Sequence, residues 1–528
     1  MHCRLLLTAT ATALCHAAVA QAQSAPSASQ PAPPSTSGQV AQPYVAPPPA
    51  PATPAPAPLP PVPAPVTIRP TVTSSLPGPL QTSPSAGPVL PEPSGDPLRL
   101  DPAGDPVLQL GRSSASFEQF RALVAGAVAR HPASDEASAL TEEARQGLRG
   151  TRERLFPSAD FTVSSYRVLA REFSDDPDNI IERSRPDQRT DVLLSVNQTL
   201  FDFGATANRV HAASARLRAA RAEAENSTDR LALGVVAAWY DLFTARALVT
   251  LGRAFSANQD ALRAAIEERI ASGVSAEGDR ARVESYIAST GARLARFQRL
   301  QASAEARFAE LTGSAPPAEL DRAPTLELDT ATRESVLQAA RNAPVVRAAE
   351  AQAEAARKDA RADSQERHPN LSVGVDAGRY GLIETARDFD VRARITLRKR
   401  FFGGIDARAN GSAARARAVE ARAARVREET SRDAAIALSD VEALAEQLRA
   451  LEANYMASRR SRDVIAERFR VARGSLFDVL AAEDAYFETA TAYVQALTEL
   501  DAARYVLLSR TGLLLPSLNI EPPTGRAG

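Results

Sequence analysis

The sequence predicts a mainly α-helical fold with a β-barrel portion, in which one unit is used twice: long antiparallel coiled-coil helices plus a β-hairpin. Three observations carry this prediction. Alternating, strand-like residues end at LFDFG (200–204) and again at RFFGG (400–404), 200 positions later. After each junction glycine, Gly204 and Gly404, an alanine-rich helical pattern begins and runs without proline to about 272 and 473, which at ~1.5 Å per residue reaches roughly 100 Å. The other landmarks recur as well. Pro132 with Pro344 and Pro157 with Pro369 are 212 apart, whereas Gly273 with Gly474 and Gly313 with Gly512 are 201 and 199 apart. The offset drops by 12 only between Pro157 and Gly204, so the first hairpin has the longer loop.

The chain starts with a secretory pattern over 1–22: Arg4, an apolar run over 5–20, and small residues at Ala18, Ala20 and Ala22. Both cysteines, Cys3 and Cys15, fall inside it, so the expected mature chain has no thiol for a disulfide, a metal or a nucleophile. Leu14 precedes Cys15 where a lipid-attachment signal carries a small residue, which argues against lipidation. Five scattered histidines form no ligand cluster, and no cofactor is expected. The balance of 62 basic against 63 acidic residues gives no reason to expect nucleic acid. The most apolar later run, 231–251, contains Asp241 and Arg246, so a membrane location would require a closed barrel.

Residues 23–112 are rich in Pro and Ala, with 26 of the 38 prolines between Pro26 and Pro106, and read as a disordered tether. Repeat one covers 113–313. Ser116 with Gln119 opens a helix, His131-Pro132 interrupts it and Phe156-Pro157 ends it. A hairpin follows at 159–201, then a coiled coil at 204–313 broken at Gly273. A connector (314–331) leads to repeat two (332–515), with its hairpin at 370–400 and its coiled coil at 404–512 broken at Gly474. Residues 516–528 form a tail.

In the second hairpin Leu371, Val373, Val375 and Ala377 alternate with Ser372, Gly374, Asp376 and Gly378. Val391, Ala393 and Ile395 likewise alternate with Asp390, Arg392, Arg394 and Thr396. One face suits lipid and the other water, as in transmembrane strands of ~9–11 residues. A half-buried soluble sheet shows the same alternation, but two hairpins in a helix-dominated secreted chain have little to pack on. Four strands cannot close a barrel and the smallest bacterial barrels need about eight, so the barrel must be shared between chains. Three chains leave a watery lumen for Asp376, Arg392 and Arg394. The Ala- and Arg-rich helices fit either a solvated coiled coil or a laterally packed cylinder.

Taken in order and duplicated, these junctions and the tips SGVSAEGD (272–279) and RGSLFDVLAAE (473–483) resemble the TolC-like outer-membrane factor family of bacterial efflux and type I secretion systems. The resemblance spans about 116–515. It implies a homotrimer with a twelve-stranded barrel in outer-membrane lipid and a twelve-helix periplasmic tube. It also implies a passive duct, not an enzyme, that opens on docking to a periplasmic adaptor and an inner-membrane transporter, either ABC-type or proton-driven. By the same resemblance Gly273, Asp279, Gly474 and Asp478 belong to the gate, with Asp478 lining the constriction and Asp279 helping to hold it. The second tip departs from the family pattern. It is two residues shorter, Leu476 stands where an arginine is expected, and Ala481 replaces a carboxylate. Either aspartate could instead cap the helix after its tip. The alternative function is a periplasmic coiled-coil scaffold that never enters the membrane.

Overall fold

The duplicated plan is visible in the order of elements. A computed structural model describes residues 90–91, 93–94, 96–97, 99–112, 114–172, 180, 184–326, 332–384, 388–471 and 473–522. The secretory segment and the Pro-rich run to 89 lie outside the described residues, as do 523–528. A single turn, α1 (Pro106–Gln109), precedes repeat one. Repeat one comprises α2 (Phe117–Arg130), α3 (Pro132–Glu153), β1 (Ser158–Arg167), β2 (Gln188–Phe201), α4 (Ala205–Ala271) and α5 (Glu277–Thr312). Repeat two comprises α6 (Arg333–Arg341), α7 (Pro344–Gln365), β3 (Asn370–Arg379), β4 (Phe389–Arg398), α8 (Ile405–Arg470) and α9 (Leu476–Arg510). A last turn, α10 (Leu514–Ser517), closes the chain. The prolines behave as expected: Pro132 and Pro344 occupy the first turns of α3 and α7, where a missing N–H costs nothing.

The strands form one antiparallel sheet in the order β1-β2-β3-β4, so β2 of the first repeat pairs with β3 of the second. The register sets Phe161 opposite Leu194, Leu194 opposite Ala377, and Ala377 opposite Val391. Every member of that row is apolar, which is what a two-residue period dictates when the register is correct. Nothing pairs with the outer edges of β1 and β4 among the described residues.

Different forces hold the helices at different levels. Around Trp239 the core is aromatic: Phe120 meets Trp239 edge-on at 5.2 Å and lies 5.8 Å from Tyr505, and Phe308 and Leu515 pack against the same cluster. The apolar middle of α4 is used here, which accounts for the 231–251 run without a membrane span. Nearer the sheet, ion pairs lace α7 to α4 and α8: Arg218–Glu354 and Arg347–Glu225, both at 2.6 Å, Arg357–Glu420 at 3.5 Å, and the contacts Arg216–Asp359 and Arg427–Glu350. Alanines on α7 allow the close approach that these pairs need.

Two boundaries are corrected. The tether does not continue to 112, because from Leu90 onward the chain lies as a strap along α8 and α9, burying Leu90, Val107 and Leu108. Proline-rich composition hid three well-spaced apolar anchors and one buried acid, Asp105. The tail is also structured at its start, since Leu518 and Ile520 fold back into the Trp239 core. The connector is tied to the same core, with Trp239 Nε1 donating to Asp321 O (2.9 Å) and the Tyr505 hydroxyl to Pro324 O (2.6 Å). Next to it Arg322 grips fully buried Asp501 through both carboxylate oxygens at 2.5 and 2.9 Å.

Asp501→Asn should therefore leave a buried guanidinium uncompensated and cost about 3–5 kcal/mol. Arg449→Gln, in an exposed pair with Glu446, should change stability by less than about 1 kcal/mol, and denaturant unfolding in detergent measures both. Asp229, buried on α4 against the Ser509 hydroxyl, is pushed up to about 6 by burial. Because its folded-state value is raised, stability should fall as pH rises from about 4 through 6, as protons held by the folded state are lost. Asp229→Asn should flatten a melting-temperature profile over that window.

Candidate functional site

The sequence marks three places along the molecule: the polar face of the sheet, the strand-to-helix junctions and the helical tips. On the sheet, Asp376, Arg392 and Arg394 do share one face, opposite the apolar rows. Arg394 pairs with Asp376 across the strands at 3.2 Å and donates to Asn197 Oδ1 at 3.2 Å, whereas Arg392 pairs with Asp390 at 2.7 Å on its own strand. Gly374 leaves the room, since a Cβ there would stand 2.8 Å from Asn197 Oδ1. This face is a charged, internally neutralised surface. The other face is largely apolar, with Phe389 77% and Ile395 76% exposed.

At the junctions Gly204 (φ 86°) and Gly404 (φ 77°) are both left-handed, which answers why a glycine recurs where strand becomes helix. The same sharp turn places Phe203 and Phe402 at positive φ, a conformation that bulky residues rarely adopt. The two copies differ in how the helix start is satisfied. In repeat one the Asp202 carboxylate accepts from Gly204 N–H (3.0 Å) and Thr206 N–H (2.7 Å). Burial opposes its ionisation, but these donors and Arg209 outweigh burial and hold it below the usual carboxylate range. Phe402 occupies the matching position in repeat two, is 92% exposed, and leaves α8 without a side-chain cap. Sequence reasoning missed Asp202, although an Asp two residues before a helix-opening glycine is itself a capping signal.

At the tips Gly273 (φ 76°) turns α4 into α5 in open space, so its need is conformational. Gly474 is not left-handed. A Cβ there would stand 3.2 Å from Phe469 N, so its need is close approach. Asp279 and Asp478 take the third position of α5 and α9, and neither is the N-cap. Ser475 caps α9 by accepting from the Asp478 amide at 3.2 Å, and Asp478 itself is exposed. Asp279 lies 3.9 Å from Arg282. Leu476 is buried with Ile266, Val283, Phe469, Val479 and Leu480, an apolar seat joining the two tips. Three cross-links between the hairpins escaped the sequence reading: Arg269 donates to Phe469 O (3.2 Å), Tyr286 donates to Leu480 O (3.1 Å), and Arg293 pairs with Asp484 (2.5 Å). Tyr286 and Tyr486, 200 apart, were the available signal.

A small amphipathic sheet carried on a duplicated bundle of very long helices is the architecture of a channel-type envelope protein. The model of the outer membrane efflux protein family matches residues 123–314 and 336–513, and the chain belongs to that family. It is thus a protein of the cell outer membrane with a large periplasmic portion. No curated protein matches the sequence. Among solved structures, the outer membrane protein VceC from Vibrio cholerae is 18% identical with a TM-score of 0.67, covering 75% of this chain and 96% of that one. The CmeC outer membrane channel of Campylobacter jejuni is 15% identical with a TM-score of 0.66, covering 81% and 95%. The MtrE outer membrane channel of Neisseria gonorrhoeae, in an open state, is 20% identical with a TM-score of 0.62, covering 75% and 89%.

Replacing Gly204 or Gly404 by Ala should cost about 1–2 kcal/mol each, the penalty of a Cβ in the left-handed region. Thermal unfolding of the two single variants would measure this, and a neutral result at both would remove the conformational reason for the glycines.

Proposed function

We propose that the chain is the outer-membrane duct of a tripartite export system. Three copies would complete a twelve-stranded barrel over a tube of twelve long helices, with passage gated at the periplasmic tips. One observation carries the reading: the four-stranded sheet has a largely apolar exposed face and two edges that pair with nothing among the described residues. Backbone edges cannot face hydrocarbon, so in a membrane β1 of one copy must pair with β4 of the next. Three copies give a lumen wide enough to hydrate the Asp376, Arg392 and Arg394 face. The duct is passive, and its partners are a periplasmic adaptor and an inner-membrane transporter, ABC-type for protein secretion or proton-driven for small molecules.

The tips supply the gate. Asp478, exposed and unpaired among the described ion pairs, recurs three times around the axis in a trimer and makes a ring that favours cations. Asp279, tied to Arg282, and the turns at Gly273 and Gly474 set the position of the tips. Gly204 and Gly404 mark where barrel passes into tube. The scaffold alternative leaves the apolar sheet face without an environment. Fractionation separates the two readings: recovery with outer-membrane vesicles and conductance in planar bilayers are expected, and recovery only in the soluble periplasm would sink the duct.

Asp478→Asn should reduce cation selectivity and weaken block by multivalent cations in bilayer recordings. Unchanged selectivity would place the constriction elsewhere.

A further inference from the structure

The strap before α2 is an ordered segment that the duplication does not account for. It hangs from the connector, where Ala115 N–H donates to Arg322 O at 2.7 Å and Arg322 reaches Gly111 O. It then descends along the second hairpin. Val107, Leu108 and Leu90 fill a pocket made by Leu251 and Phe255 of α4, Tyr455 of α8 and Phe487 of α9. Asp105, fully buried, caps α1 by accepting from Val107 N–H at 2.8 Å. The same carboxylate accepts from the Tyr455 hydroxyl at 2.9 Å and from Arg459. Lower down, Arg462 donates to Pro91 O at 3.0 Å while lying 4.4 Å over the Tyr486 ring.

The first repeat serves as an internal control. At the offset of 200 set by Gly204 and Gly404, Tyr455, Arg459 and Arg462 correspond to Phe255, Gln259 and Leu262, so the hydroxyl and guanidinium groups that dock the strap exist only on the second hairpin. Besides α9, lower α8 packs against the strap and, at its tip, against Arg269 of α4. Beyond Ala437 the described buried residues of α8 are Tyr455, Arg462, Asp463 and Phe469, and the first two bond directly to the strap.

We propose that the strap is a latch that holds lower α8 against α4 and so keeps the inner end of the second hairpin drawn in. Asp105 is its catch. For α8 to swing outward, Asp105 must leave Tyr455 and Arg459, and Val107 must leave its pocket. The inference rests on the duct reading.

The test uses full-length protein in planar bilayers, with Asp105→Asn and the milder Arg459→Gln beside the wild type, each first confirmed as a wild-type-like oligomer on native gels. Trypsin cleavage after exposed Arg99 reports strap release. Faster cleavage together with about tenfold higher open probability is expected, the scale set by one lost charge-assisted hydrogen bond. Faster cleavage with unchanged conductance would overturn the latch, leaving the strap a mere covering. Unchanged cleavage in both variants would also overturn it, since Asp105 would not be the catch. If neither the wild type nor either variant conducts, the duct reading fails instead, so the two failures are distinguishable.

Discussion

The whole architecture depends on one constraint: a peptide group placed in hydrocarbon must find its hydrogen bond within protein. The sheet satisfies its interior by pairing β2 with β3 across the two repeats, and that pairing fixes which residues face outward. A slip of one residue would carry Phe389 and Ile395 to the charged side and Arg392 and Arg394 to lipid. The remaining debt is the pair of outer edges, which one chain cannot settle. In the proposed duct, backbone chemistry alone would call for association, before any side-chain complementarity is considered.

Along the molecule the cohesive force changes with what surrounds it. Cross-strand bonds hold the sheet, Ala-rich contact laced with ion pairs holds α7 between its long neighbours, and an aromatic core around Trp239 holds the middle. A small apolar seat around Leu476 joins the tips. The ion-paired stretch consists of side chains that remain largely wet, so individual pairs contribute little and the Ala-rich contact carries the packing. The aromatic belt is different, since connector, tail and first helix all converge on it, and through Tyr505 it joins the two repeats.

Much of this was legible because duplication turns one sequence into two aligned copies. The offsets between Pro157 and Pro369 or Gly204 and Gly404 placed elements that propensity alone would have left uncertain, and period-two alternation fixed the sheet faces. What stayed hidden breaks the symmetry. The strap's anchors, Leu90, Asp105, Val107 and Leu108, are single residues in a Pro-rich background, where composition argues against packing and no periodicity announces contact. The tail was missed for a similar reason, because Leu518 and Ile520 are too few to form a pattern. The change from Asp202 to Phe402 was visible, but its meaning was not, because only the hydrogen bonds show that Asp202 caps a helix. At the tips, the twin aspartates were easy to pick out, while the bonds from Arg269, Tyr286 and Arg293 join residues nearly 200 positions apart.

The pairing of β2 with β3 also orders events in time. Val196 meets Val375 across the sheet, so a chain emerging N-terminus first exports a finished β2 long before its partner exists. Throughout that interval β1 and β2 can form only a two-stranded hairpin, marginal in water and apolar on one side. Pairing so distant in sequence is intrinsically slow, and exposed strand edges invite aggregation while it is pending. The helices, built from local bonds, can form at once. The part of the molecule destined for the membrane is therefore the last to be completed, and its assembly waits on translocation of the second repeat.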